Sequence, residues 1–170
     1  MNKNIKYNVI KDFPKSGVRF IDLTPSLYDK ESFQLIIDSM CRYISGLEGY
    51  FDYIVAPESR GFIWGSAVAQ ATGLPLVIVR KAGKLPPGTV GSQVIYETEY
   101  SEDRLEIPHI DLTDKKCIFI DDIYATGGTY QACKDLVKLQ GGRMNFGLVV
   151  YDVGIQENDE VYNIFKGDEL

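Results

Sequence analysis

Two adjacent acids and the short glycine loop behind them are the residues of this sequence whose types and spacing best suit chemistry. Asp121 and Asp122 follow an apolar run at residues 117–120, and the small-residue stretch ATGGT comes three positions later. Glycines let the backbone turn tightly, so several N–H groups can point at one anion, and threonine hydroxyls can add donors. The pattern therefore indicates a phosphate-binding loop at Ala125, Thr126, Gly127, Gly128 and Thr129.

The acid pair has more than one physical interpretation. Carboxylates can accept hydrogen bonds from ribose hydroxyls or help to hold Mg²⁺. Asp121 and Asp122 can also do no more than end a strand, with the two glycines forming an ordinary turn into a helix. Taken together, a sugar-binding acid pair and a phosphate-binding loop fit a ribose 5-phosphate.

A buried strand and an amphipathic helix are the elements that must position this loop. Cys117 to Ile120 is a continuous apolar run, which is typical of a strand buried on both faces and is predicted to end at Asp121. Apolar residues then recur at helical spacing, which predicts a helix from about Gly128. The helix N-terminus adds partial positive charge to the loop. The apolar stripe consists of Ala132, Cys133, Leu136 and Val137.

The rest of the chain reads as alternating strands and helices. That order predicts an α/β fold with a mostly parallel sheet flanked by helices, in a single domain over residues 1–170. The helix at 60–71 is apolar nearly all round, which predicts that it is buried. The predicted helices are 31–47 and 60–71, and the predicted strands are 53–56, 75–79 and 145–151.

Charged and polar residues follow several of these predicted strands. Because ligands of parallel sheets bind beyond the carboxyl ends of the strands, these side chains are expected to converge on one site. The 30-residue connection at about 81–112 has no helical pattern, which is typical of a lid or binding loop. The residues at strand ends are Glu58, Ser59, Arg60, Arg80, Lys81, Lys84, Asp121 and Asp122.

Composition excludes several classes of protein. A net charge of −6 argues against nucleic acid or an anionic membrane as a partner. His109 is the only histidine and the three cysteines include no CxxC pair, so neither a zinc site nor a histidine-based triad is expected. The sequence contains no apolar run of membrane-spanning length and no secretory signal, and we expect a cytoplasmic protein with reduced thiols.

The strand, acid pair, TGGT loop and helix resemble the phosphoribosyl-pyrophosphate (PRPP) motif of type I phosphoribosyltransferases. ESRGF (58–62), VRKAGKLP (79–86) and ETEYSEDRLEI (97–107) narrow the resemblance to the adenine phosphoribosyltransferases. It implies the type I phosphoribosyltransferase fold, with a small N-terminal hood at about 1–30 and a long lid loop at about 83–108. It also implies transfer of 5-phosphoribose from PRPP to N9 of adenine in purine salvage, giving AMP and pyrophosphate.

The same resemblance assigns roles to individual residues and implies a homodimer. Glu99 matches the carboxylate that handles the purine N7 proton, and Tyr100 matches a tyrosine of lid closure. Mg²⁺ is expected to be held mainly through PRPP, with Asp121 and Asp122 as candidate protein ligands. The expected base-binding residues are Val18, Arg19 and Phe20, and the expected PRPP-binding residues are Arg60, Arg80, Lys81, Lys84, Asp121, Asp122 and the loop 125–129.

The chain departs from the family in two places. Ile21 stands where the family has an arginine, and Arg19, on the same face of an extended segment, either compensates or points to solvent. The C-terminus is short and acidic, with VYNIF (161–165) as a candidate last strand. Two alternatives stay open: a transferase for hypoxanthine or guanine, and a PRPP- or nucleotide-sensing regulator with the same fold.

Overall fold

The computed structural model of the protein describes residues 5–47, 49–97, 102–155 and 158–165. Its helices are α1 (Thr24–Tyr28), α2 (Lys30–Ser45), α3 (Gly61–Thr72) and α4 (Gly128–Leu139). Its strands are β1 (Asn8–Lys11), β2 (Arg19–Asp22), β3 (Tyr53–Pro57), β4 (Leu76–Lys81), β5 (Val90–Glu97), β6 (Glu102–Pro108), β7 (Lys116–Tyr124), β8 (Arg143–Asp152) and β9 (Val161–Phe165).

Seven strands form the central sheet in the order β5-β6-β4-β3-β7-β8-β9, and β1 pairs with β2 in a separate antiparallel sheet. The five neighbouring strands β4, β3, β7, β8 and β9 run parallel, whereas β5 and β6 add an antiparallel edge. Ile118, Phe119 and Ile120 are buried, as expected for a strand covered on both faces. The predicted α/β fold with a mostly parallel sheet is thus confirmed.

Strand β7 is longer than its sequence indicates. It was predicted to end at Asp121, but it continues to Tyr124 because β8 pairs with it that far, Ile123 opposite Tyr151 and Tyr124 opposite Asp152. The two acids therefore lie inside the strand, where backbone pairing fixes their directions. The candidate strand at 161–165 is present as β9.

The helices cover both faces of the parallel strands. The apolar stripe of α2 faces the core through Ile36, Ile37, Met40 and Ile44, and α4 lies on the opposite face. The prediction that α3 is buried all round is wrong for the single chain. Its inner face packs so closely that a Cβ at Gly65 would lie 2.6 Å from the Ala56 side chain, but Ile63 on the outer face is 41% exposed.

The long connection between β4 and α4 is a hairpin followed by β7. Strands β5 and β6 pair antiparallel from Val90 opposite Pro108 to Glu97 opposite Glu102, and β6 also joins β4. Along the part of the chain that the structure describes, no helix has the length and apolarity needed to cross a membrane. Cys41, Cys117 and Cys133 form no disulfide, and the latter two are buried.

Candidate active site

A cavity of about 550 Å³ opens at the carboxyl ends of β3, β7 and β8, beneath the N-terminal hairpin. One of its walls belongs to the central sheet and to the start of α3 and α4, and another belongs to the hairpin. Its lining residues are Phe13, Pro14, Val18, Arg19, Phe20, Ile21, Glu58, Ser59, Arg60, Lys81, Tyr96, Asp103, Asp121, Asp122, Ile123, Ala125, Thr129, Val153 and Ile155.

Many of the residues that the sequence assigns to a substrate site meet in this cavity. The three expected base-binding residues lie on one side of it, and both acids lie on the other. Arg80, Lys84 and the central loop residues 126–128 do not line it. The loop instead surrounds a second cavity of about 80 Å³, lined by residues 123–130 and Phe119.

The two acids, Asp121 and Asp122, have different electrostatic surroundings. Asp122 is 3% exposed and forms an ion pair with Arg60, the residue that immediately precedes α3. Asp121 Oδ1 accepts a hydrogen bond of 2.9 Å from the backbone N–H of Asp122. Burial, and after it the negative charge of Asp122, raises the pKa of Asp121 well above its usual range. Asp121 therefore binds a proton more readily than an ordinary aspartate does.

Gly61 explains how α3 comes so close to this acid. A Cβ there would lie 2.7 Å from the Pro57 ring and 3.0 Å from Asp121 Oδ1. Only glycine fits without a shift, so the helix start stands directly against the carboxylate. Since helix N-termini carry partial positive charge and free N–H groups, this end of the cavity suits an anion.

The glycine turn of the expected phosphate loop and the helix that follows it are both present. Gly127 has a φ of +79°, which side-chain-bearing residues rarely adopt, and α4 begins at Gly128. The Gly127 carbonyl accepts from Gln131 N at 2.9 Å, so the loop passes directly into the helix. The start of α4, where the first N–H groups have no partner within the helix, thus lies at the small cavity that the loop surrounds.

The basic residues fall into two groups. Lys81 lines the large cavity and lies 3.5 Å from Asp103 on β6. Arg80 points elsewhere: its Nε lies 3.3 Å from Glu58 Oε2, and its Nη1 donates to the Lys84 carbonyl at 3.0 Å. The Lys84 residue is exposed. Arg80 thus holds the backbone of the following loop, while Lys81 faces the site.

The buried carboxylate of Glu106 holds the backbone of the loop that follows β4. Glu106 is 1% exposed and accepts from the N–H groups of Lys84 and Leu85, at 3.0 and 2.7 Å, and from Gln93 at 2.9 Å. Burial alone would raise its pKa, but these donors outweigh that effect, so the pKa of Glu106 lies below its ordinary value. The ionised form is favoured because it satisfies all of these donors.

The N-terminal hairpin supplies the apolar side of the cavity. Phe13 and Phe20 meet edge to face with ring centroids 5.2 Å apart. Arg19 is exposed, whereas Ile21 is 3% exposed and belongs to the main core cluster. Ile21 thus serves as a core residue as well as a lining residue, whereas Arg19 lines the cavity but is exposed.

The β5–β6 hairpin reaches the phosphate loop from above. Tyr96 on β5 and Thr129 on α4 both line the cavity, where their side chains interact. Burial, aided by the charge of Asp103, raises the pKa of Tyr96. Glu99 and Tyr100, the expected catalytic and lid residues, lie outside the described residues.

Sequence reasoning did not assign several of the lining residues to the site. Tyr96 and Asp103 come from the hairpin, and Ile123, Val153 and Ile155 come from the ends of β7 and β8. The rule that ligands bind beyond strand ends, applied to β8 as it was to β7, would have found the last two. The hairpin residues carry no comparable signal, because their approach depends on how β6 pairs with β4.

The acid pair also bears on Mg²⁺. Mg²⁺ bound to phosphate substrates typically takes one or two carboxylates and completes its shell with water and phosphate oxygens. Asp121 and Asp122 supply such oxygens, although Asp122 is already paired with Arg60. Among the residues that the structure describes, no group of three or more His, Cys, Asp or Glu side chains could hold a metal ion. The donor set fits a metal that arrives with its phosphate ligand.

The fold and the loop together define the class of protein to which this chain belongs. A strand of a parallel sheet carries two acids near its carboxyl end and runs into a glycine loop that opens a helix, which is the PRPP motif expected from the sequence. The family model described as "Phosphoribosyl transferase domain" matches residues 25–169. That match extends from α1 through the last described strand.

Its relatives narrow the class further. The adenine phosphoribosyltransferase of Caldicellulosiruptor saccharolyticus is 47% identical over 85% of this chain and 81% of its own, and that of Mycoplasma capricolum is 38% identical over 95% and 93%. The solved structure of the Saccharomyces cerevisiae enzyme, complexed with an imino-altritol bisphosphate and adenine, superposes with a TM-score of 0.86 at 33% identity, covering 94% of each chain. The chain belongs to the adenine phosphoribosyltransferases of the phosphoribosyl transferase family.

Proposed function

We propose that the protein transfers the 5-phosphoribosyl group of PRPP to N9 of adenine in purine salvage. The bond between C1 of the ribose and pyrophosphate breaks, and its electron pair leaves with pyrophosphate. N9 donates an electron pair to C1, and adenine loses one proton. The products are AMP and pyrophosphate.

One observation carries this proposal: a single cavity joins the acid pair and the two end residues of the loop, Ala125 and Thr129, to an apolar slot beneath the N-terminal hairpin. Asp121 and Thr129 lie at one end and Phe20 and Val153 at the other. A phosphorylated ribose at the first end brings C1 toward a flat base at the second. The relatives named above are adenine enzymes, which favours adenine over hypoxanthine or guanine and an enzyme over a regulator.

The leaving pyrophosphate needs cations that it can reach. Arg60 and Lys81 both line the cavity, and their side chains are 51% and 54% exposed, so each can turn from its present partner toward a stronger anion. Preorganised charge at the position where negative charge develops is generally a large term in catalysis. We therefore assign these two residues to pyrophosphate and the loop 125–129 to the 5-phosphate.

The residues that bind the base are proposed from the cavity lining, whereas those that move its proton and close the lid are proposed from the family resemblance. Val18, Arg19 and Phe20 line the apolar slot, and we propose that they bind adenine, with backbone groups of the strand reading its edge. Glu99 and Tyr100 keep their roles in proton transfer and lid closure as proposals from the family resemblance. A closed lid would exclude water, which otherwise traps the oxocarbenium-like state of the sugar.

We also propose that the reaction uses Mg²⁺ bound mainly to PRPP, with Asp121 and Asp122 as the protein carboxylates beside it. The ion would neutralise charge on the leaving pyrophosphate. The measurement is product formation with and without a chelator, followed by PRPP titration calorimetry at several Mg²⁺ concentrations. PRPP affinity that does not depend on Mg²⁺ would contradict this assignment.

A homodimer in the cytoplasm completes the proposal. The outer face of α3 exposes Ile63, and the exposed Lys84 lies on neither cavity of its own chain. A lysine in this position would serve the partner's site, as the resemblance implies. Three unpaired cysteines suit a reducing compartment. Light scattering should give twice the chain mass of 19.1 kDa, and Ile63→Asp should lower it.

The experiment that tests the function is a base screen. Purified protein, PRPP and Mg²⁺ are mixed with adenine, hypoxanthine, guanine or xanthine, and nucleotide formation is followed. Glu99→Gln tests the proton-transfer role, and Glu97→Gln, two residues away, is the matched control. AMP from adenine alone, greatly reduced in Glu99→Gln and retained in Glu97→Gln, is expected. PRPP binding without product from any base would instead support a regulator.

A further inference from the structure

The short segment 158–160, which we call the C-terminal brace, touches the phosphate loop region on both sides. Asn158 Nδ2 donates to the Tyr124 hydroxyl at 2.9 Å, and Tyr124 is the last residue of β7 before the loop. Glu160 accepts from the Tyr130 hydroxyl at 2.9 Å and from Lys134 Nζ at 2.7 Å, and both donors lie on α4, directly after the loop. The brace therefore spans the loop.

These contacts have fixed directions. The backbone N–H of Glu160 donates to Asn158 Oδ1 at 2.8 Å, which turns the amide nitrogen of Asn158 toward Tyr124. Tyr124 is 4% exposed, and its carbonyl accepts from Val153 N at 2.9 Å. Tyr124 is consequently held at its backbone by Val153, the residue after β8, and at its hydroxyl group by the brace.

That ring lies against the sharpest turn of the loop. A Cβ at Gly127 would fall 2.9 Å from Tyr124 Cζ and closer still to its hydroxyl oxygen. Gly127 is the residue with a left-handed backbone that caps α4. The Tyr124 hydroxyl thus fills the space beside the turn that sets the direction of the loop N–H groups.

We propose that Asn158 and Tyr124 are positioning residues for the phosphate loop: Asn158 fixes the Tyr124 hydroxyl against Gly127, and this contact holds the loop in its phosphate-binding geometry. The inference rests on the proposed function, because PRPP is the ligand. It gives the acidic C-terminal segment a role in substrate binding. Since the two residues act through the loop, their loss should weaken PRPP binding more than it affects adenine binding or the chemical step.

Tyr124→Phe tests the proposal with the smallest change, because it removes the hydroxyl and keeps the ring. The dissociation constant of PRPP, measured by calorimetry, should rise about fivefold, and its KM by the same factor. The KM for adenine and kcat should stay within about twofold. Asn158→Ala should reproduce this effect. The double variant should bind PRPP as tightly as Tyr124→Phe alone, because both changes remove the same hydrogen bond between Asn158 and Tyr124.

Tyr130→Phe is the matched control. Tyr130 is 2% exposed and also loses a 2.9 Å hydrogen bond to the brace, but its hydroxyl bonds Glu160 instead of lying beside Gly127. Its PRPP dissociation constant should change by less than about twofold, although unfolding is expected at lower denaturant, as for Tyr124→Phe. Unchanged PRPP affinity in Tyr124→Phe, or an equal loss in Tyr130→Phe, overturns the proposal.

The binding measurement separates this inference from the proposed function. Wild-type protein that binds PRPP but forms no AMP would refute the proposed reaction, and the calorimetric comparison of the variants would still decide the positioning role. AMP formation together with equal PRPP affinity in all variants would refute the positioning role alone.

Discussion

The two ends of the cavity are built in opposite ways. The phosphate end comes from one continuous stretch, residues 121–129, in which a strand, a turn and a helix start follow each other. The base end is assembled from separate segments: the N-terminal hairpin, the end of β7 and the residues after β8. One end depends on local backbone geometry, and the other depends on how distant segments pack.

The two ends should therefore be sensitive to different kinds of substitution. At the phosphate end, a single added methyl group at a tight turn should be costly, since backbone conformation does the binding. At the base end, the burial of side chains governs stability, as the core position of Ile21 shows. Four measurements test whether the two ends differ in this way.

The largest effect is expected from Ile21→Arg, which restores the residue type that the family has at this position. Ile21 is 3% exposed in the core, so a buried unpaired guanidinium should lower the free energy of unfolding by about 3 kcal/mol. Urea unfolding measures the loss. Ile10→Arg is the control, because Ile10 lies in the same two-stranded sheet but is 41% exposed, and should change stability by under about 0.5 kcal/mol. Equal losses would show that burial does not govern the base end.

Gly127→Ala should come next. Its positive φ and the adjacent Tyr124 ring leave no room for a methyl group, so kcat/KM for PRPP should fall by about 30-fold. Gly73→Ala serves as control, since Gly73 has a φ of +75° at the end of α3 with no atom within 4 Å. That variant should lose stability without losing PRPP affinity. Comparable kinetics in the two variants would contradict a backbone-built phosphate end.

Phe20→Ala should affect the base end selectively. Phe20 packs against Phe13 and lines the cavity, so losing its ring should raise the KM for adenine about tenfold and leave the KM for PRPP within about twofold. Steady-state kinetics with each substrate varied in turn gives both constants. A matching rise in both KM values would mean that the two ends are not independent.

The smallest effect concerns pH. Because the pKa of Asp121 is raised, its carboxylate becomes protonated as the pH falls through that raised value. The neutral acid is then a poor ligand for Mg²⁺. On acidification, PRPP affinity should therefore fall by about threefold more in the wild type than in Asp121→Asn. Adenine affinity should show no such difference. Identical pH profiles for PRPP in the two proteins would exclude Asp121 as the titrating group.

Residues 117–139 show what sequence patterns can predict. The apolar run, the acids, the glycine turn and the helix stripe are each local signals, and the structure places all four in the predicted order, with α4 starting at Gly128. Only the strand end was wrong, because β8 pairs with β7 as far as Tyr124. That extension depends on a second strand and has no local signature.

Local sequence patterns thus predict the α/β class and the strand, turn and helix of residues 117–139, because strand burial, turns and helix starts depend on residues close together in the chain. Long-range packing, in contrast, makes Ile21 a core residue, brings Tyr96 near Thr129 and brings the C-terminal brace to Tyr124. The physical reason is the same in each case. These contacts join residues tens of positions apart, and strand pairing and packing, not local conformational preference, bring them together.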